Sequence, residues 1–116
     1  ELVPELAIGG YDGSHVGDPT KTLIDEDNPN LPDISLAPEG PYLKEQITET
    51  YSMIVGLGND MVGYIVPEYN FQLHPNIPWF DEAEGDHYEE TNSLGPQTAT
   101  IVRENGEKLL NWKKEQ

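Results

Sequence analysis

Ser52-Met53-Ile54-Val55-Gly56-Leu57 and Val62-Gly63-Tyr64-Ile65-Val66 flank Gly58-Asn59-Asp60-Met61, and Pro67 stops the second run. Both runs are short, apolar and partly β-branched, the pattern of buried strands, and Asn59-Asp60 is a turn signal. The expectation is two neighbouring strands, 52–57 and 62–66, at the centre of the chain. Toward the N-terminus, Pro41 opens residues 42–51, YLKEQITETY, where Leu43, Ile47, Thr50 and Tyr51 have helical spacing. Residues 9–41 are an acidic, Gly- and Pro-rich excursion with no apolar period, and residues 1–8, ELVPELAI, read as a short strand or extended segment in which Pro4 keeps Val3 out of the α region. Toward the C-terminus, residues 68–94 form a second polar excursion carrying Tyr69, Phe71, Trp79, Phe80 and Tyr88. Residues 95–112 read as a helix, with Pro96 in the first turn, Ser93 as a cap, and Ala99, Val102, Gly106 and Leu109 on one face. The order strand, loop, helix, strand, strand, loop, helix predicts an α/β or α+β unit. It would hold a short, mostly buried sheet, two helices and two long acidic Gly/Pro-rich loops, which are the places to look for function.

The 116 residues make one domain at most, or part of one. With 22 acidic and 6 basic side chains the net charge is −16. The acidity is uneven: residues 1–94 hold 19 acids and two bases, whereas residues 95–116 carry a net charge of +1. Such a surface repels phosphate, which argues against a nucleic-acid partner and disfavours an anionic membrane. Cysteine is absent, so there is no disulfide framework, thiol nucleophile or zinc knuckle. No apolar run approaches the roughly 18 residues of a transmembrane helix, and no basic-then-apolar leader is present. The chain starts at Glu1 without Met and reads as a piece of something longer.

The three histidines, His15, His74 and His87, have no partner at a zinc-protease spacing and read as solvent-facing loop residues. Asp25-Glu26-Asp27-Asn28 offers carboxylates for Ca²⁺ but lacks the spacing of a calcium loop, so a solvated acidic loop is expected there. Nucleophile-elbow, phosphate-loop and dinucleotide-binding patterns are missing.

Four short segments stand in a telling order. They are Pro4-Glu5-Leu6, then Gly56, Asn59 and Tyr64 around the central turn, then Tyr88-Glu89, then Ser93-Leu94-Gly95-Pro96 leading into the last helix. In that order they resemble the C-terminal part of the catalytic domain of the neutral/alkaline (non-lysosomal) ceramidases and their bacterial relatives. The resemblance covers about half of the chain. It departs from the family pattern in the two long excursions, which lie beside the expected pocket and open the substrate to N-acyl compounds other than ceramide.

The resemblance implies a fragment of a zinc-dependent hydrolase that cleaves an N-acyl amide bond, with a sphingolipid-like lipid among the candidate substrates. Family members hold one Zn²⁺ with two His, one Glu and one Tyr. By position, Glu5 and Tyr64 match the Glu and Tyr ligands, and Tyr88 matches a catalytic Tyr beside the scissile amide. Both His ligands come from earlier in the family's chain, so the implied partner is the remainder of the same catalytic domain. Zinc accepts carboxylate and imidazole, keeps a position open for water and turns that water into a nucleophile, while a nearby phenol can donate to a developing oxyanion. The family resemblance is compatible with a secreted or cell-surface location. From the residues alone, an alternative of another class stands beside it: a non-catalytic acidic binding module that uses its carboxylate loops for Ca²⁺.

Overall fold

The computed structural model describes residue 20 and residues 24–53, 55–56 and 60–113. The strand expected at 1–8, Glu5 within it, His15, and Asn59 of the central turn lie outside the described residues. The elements in chain order are a 3-10 turn at Ile34–Leu36, a second at Glu68–Asn70, a one-turn helix α1 at Tyr88–Thr91, and helix α2 at Thr98–Leu110.

The expected sheet does not form: among the described residues there is no strand. Tyr64 instead makes an isolated parallel bridge with Ser93, and its N–H donates to the Asn92 carbonyl at 3.2 Å. The bridges at Tyr64 and Ile65 are single and do not extend into a ladder among the described residues, and an apolar run becomes a strand only where another strand pairs along it. Met53 and Val55 are accordingly exposed, at 83% and 64%.

The helix expected at 42–51 is also absent. One turn remains, in which Glu45 and Gln46 both donate to the Tyr42 carbonyl and the Glu45 carboxylate accepts from Tyr42 N–H at 2.8 Å. Ten residues ending in Thr48, Thr50 and Tyr51 are too few, and too rich in β-branched and aromatic side chains, to sustain a helix unaided. Tertiary contacts hold the turn instead. Leu43 seats against Gly106 of α2, and Gln46 Nε2 lies 3.4 Å from Glu107 Oε1.

Helix α2 forms where the periodicity predicts it. Arg103 and Glu107 pair at 3.3 Å one turn apart, and Lys108 sits in the last turn, where positive charge suits the helix dipole. The C-terminal end is closed by Asn111, whose side-chain amide donates to the Glu107 carbonyl at 2.8 Å. Ser93 does not cap the helix; its hydroxyl accepts from Gly95 N–H at 3.3 Å and Gln97 occupies the cap position. Ala99 is buried, and Val102, Arg103, Gly106 and Glu107 are half-buried. Leu109, expected on the same face, is exposed.

Among the described residues the buried hydrophobic side chains are Val66, Tyr69, Ala83 and Ala99. Polar latches organise the loops around them. Asp33 N–H donates to the Tyr69 carbonyl at 3.0 Å. Asn28 Nδ2 donates to the Gly85 carbonyl at 2.7 Å, and Asn30 Nδ2 donates to the Glu84 carbonyl. The end of the first acidic excursion is thereby fastened to the second. No helix among the described residues is long and apolar enough to cross a membrane.

Candidate functional site

Two turns aim the site. At Gly63 the backbone takes φ +85°, and a Cβ there would stand 2.0 Å from the Asn92 carbonyl oxygen. Glycine is required twice over, for the left-handed backbone and for the close approach. The turn delivers Tyr64 into its bridge with Ser93. On the other side, Gly85 at φ +97° and Asp86 at φ +64° reverse the chain into α1, which opens with Tyr88.

Tyr64 and Tyr88, 24 residues apart, are joined by a hydrogen bond between their hydroxyls. Their rings meet edge to face, with centroids 5.3 Å apart and planes at 72°, a favourable aromatic geometry. Tyr88 is 44% exposed and Tyr64 is half-buried, so the paired phenols face outward. The Tyr64 hydroxyl bonded to it, with smaller contributions from desolvation and from the charges of Tyr64 and Glu89, pushes the Tyr88 phenol up from 10.0 to about 12. Tyr88 therefore remains a hydrogen-bond donor throughout the physiological range.

At the start of α2 lies an open apolar depression of about 610 Å³, lined by Val62, Leu94, Pro96, Ile101 and Val102 among others. Val62 precedes Tyr64 by two positions and Leu94 follows its bridge partner Ser93, so the same backbone crossing supports both the tyrosines and the depression.

Of the three site residues implied by the resemblance, the structure brings Tyr64 and Tyr88 together; Glu5 lies outside the described residues. Among the described residues no group of three or more His, Cys, Asp or Glu side chains stands ready for a metal. A half-buried phenol oxygen turned toward the surface suits one ligand of a zinc site. His74 Nδ1 accepts from the amides of Asn76 and Ile77 at 3.2 and 3.1 Å. Near the acidic loop, Asp25 closes its own turn, its carboxylate accepting from Asp27 N–H at 3.1 Å, and Asn28 is spent on the latch to Gly85.

His87 departs from its expected solvent-facing position: it is buried, 3% exposed. Its Nδ1 is 2.7 Å from Glu90 Oε1, and Glu90 is 1% exposed. The signal for this lies in His87-Tyr88-Glu89-Glu90, because a three-residue offset puts His and Glu on one side of a helical turn.

Comparison with protein-family models, with curated proteins and with solved structures finds no match to this chain, so its functional assignment rests on its own residues and geometry.

Proposed function

We propose that this chain is the C-terminal part of the catalytic domain of a ceramidase-like, zinc-dependent hydrolase that cleaves an N-acyl amide bond. The observation that carries the reading is the outward-facing pair of Tyr64 and Tyr88 hydroxyls. The resemblance singles out these two tyrosines from sequence order alone, and nothing in the linear chain requires them to meet.

In this reading Tyr64 and Glu5 hold the metal together with two histidines from the remainder of the domain. The bound zinc supplies Lewis acidity and an activated water. Tyr88, a phenol and so a hydrogen-bond donor at neutral pH, donates a hydrogen bond to the carbonyl oxygen of the amide and stabilises negative charge developing there. The apolar depression lined by Val62, Leu94 and Ile101 offers room for a hydrocarbon portion of the substrate.

The surface gives independent support. Tyr51 and Phe80 are each 94% exposed, and Met53, Leu94, Leu109 and Trp112 are exposed as well. That is a large apolar area for one small unit, and the remainder of a catalytic domain would cover it.

The experiment is zinc binding and N-acyl hydrolysis, measured on the 116-residue chain and on a longer product of the same gene. The expected result is weak zinc binding and no hydrolysis by the chain alone, since Glu5 and Tyr64 are half of a four-ligand site. The longer product should contain two separate His-bearing segments and bind one zinc, and Tyr64→Phe should abolish its hydrolysis. Hydrolysis by the 116 residues alone, or an upstream sequence without such histidines, would overturn the proposal. A melting temperature raised by Ca²⁺ would favour the acidic binding module instead.

A further inference from the structure

Three stretches of chain converge on the buried pair His87 and Glu90. On one side of the imidazole, Nδ1 lies 2.7 Å from Glu90 Oε1. On the other, Nε2 lies 3.1 Å from the Asn30 carbonyl oxygen. The same Glu90 oxygen accepts from Gln72 N–H at 3.2 Å. A carbonyl oxygen only accepts, so Nε2 carries a proton. An unprotonated Nδ1 and a carboxylate oxygen would both be acceptors, and a 2.7 Å approach between them needs a proton in between. Of the other acidic groups on these stretches, Glu89 is half-buried on α1 itself, Asp33, Glu84 and Asp86 are exposed, and Asp33 is engaged with Ser35.

The pair brackets Tyr88. His87 precedes it at the helix cap, and Glu90 follows it within the same turn. A helix of four residues has no stability of its own. Its orientation is set by whatever anchors it, and its buried anchors are these two side chains.

We infer that His87 and Glu90 are a proton-bridged positioning pair: they fasten α1 to the loops carrying Asn30 and Gln72 and thereby hold the Tyr88 ring against Tyr64. The inference stands on this geometry and does not depend on the hydrolase reading. Replacing Glu90 by Gln keeps the size of the anchor but not both of its bonds at full strength: one oxygen, Oε1, meets both Gln72 N–H and His87 Nδ1, so an amide oxygen placed there keeps the bond from Gln72 while its link to the imidazole loses the carboxylate charge. Replacing Glu90 by Ala removes both bonds and leaves the imidazole buried without its partner.

The test is NMR on the ¹⁵N-labelled 116-residue chain, which needs neither metal nor substrate. The wild type should show a slowly exchanging proton between His87 and Glu90 and cross-ring signals between Tyr64 and Tyr88. Glu90→Gln should lose the bridging proton and weaken the cross-ring signals, because only one of the two bonds at Oε1 survives at full strength. Glu90→Ala should lose the proton and let the rings separate, with the amide signals of Thr98–Leu110 unmoved. Rings that stay paired in Glu90→Ala would overturn the inference, as would a wild type without the bridging proton. Should Glu90→Ala fail to fold, Glu90→Gln still decides: weakened or lost cross-ring signals support the inference, and cross-ring signals of wild-type strength in a folded Glu90→Gln refute it.

Discussion

Asn28 and Gly85 lock together across 57 positions of sequence: Asn28 Nδ2 donates to the Gly85 carbonyl at 2.7 Å. Asn28 Oδ1 meanwhile occupies the space where a Cβ on residue 85 would sit, 2.1 Å away. The same Oδ1 accepts from Asn30 N–H at 2.8 Å, and Asn30 in turn supplies the carbonyl that receives His87 Nε2–H. One asparagine side chain thus links the first acidic excursion to the turn that launches α1.

Gly85→Ala should therefore loosen the whole junction. The new methyl collides with Asn28, and φ +97° is strained for any L side chain. The expected cost is about 1–3 kcal/mol, read as a lower denaturation midpoint. Asn28→Ala removes the clash but not the backbone strain, so the double variant should be more stable than the sum of the two single losses implies.

At Gly63 the obstacle is backbone and cannot swing aside. Gly63→Ala places a methyl 2.0 Å from the Asn92 carbonyl oxygen and should break the hydrogen bond from Tyr64 N–H to that oxygen. The expected outcome by NMR is that the Tyr64 and Tyr88 rings separate while α2 stays intact. A variant whose rings remain paired would show that the crossing does not depend on glycine.

Tyr64→Phe removes the largest cause of the raised Tyr88 ionisation. In the wild type, absorbance at the phenolate band should show one tyrosine titrating near about 12; in the variant it should move back toward 10.0. The sign follows from proton counting. Between those two values the folded state holds the Tyr88 proton more firmly than the unfolded chain does. This stabilising contribution is complete below pH 10 and is lost as pH rises toward 12. An unchanged titration in Tyr64→Phe would mean that the hydroxyl pair is not what holds the proton.

Gly106→Ala tests a close balance. Alanine gains about 0.8–1 kcal/mol of helix propensity over glycine. Its methyl meets Leu43 Cδ2 and Cδ1 at 3.1 and 3.2 Å, and Leu43 is half-buried, so the tip of that side chain can shift. A net stabilisation of less than about 1 kcal/mol is expected. A destabilised variant would show that Leu43 is pinned more tightly than its exposure suggests.

What is legible in the sequence is local. The last helix follows from a 3/4 period and stands as Thr98–Leu110, with Ala99 on its buried side. Tyr64 and Tyr88 stand out through short segments in order. The two expected strands and the helix at 42–51 are legible only as apolar patterns, and such patterns do not say whether a pairing edge or a supporting face exists. His87 defies its sequence reading because a histidine in an acidic loop gives no hint of burial until its third neighbour, Glu90, is placed on the same turn.

By itself, the sequence determined charge, the absence of cysteine chemistry and α2. These depend on composition and on neighbours within one helical turn. The tertiary structure alone decided that Tyr64 bridges to Ser93 instead of pairing with residues 52–57, that Tyr88 faces Tyr64, and that Asn28, Asn30 and Gln72 surround the start of α1. Each of those contacts joins residues far apart in the chain. Its formation depends on which buried polar groups find partners once the loops close, a condition that no local window of sequence contains.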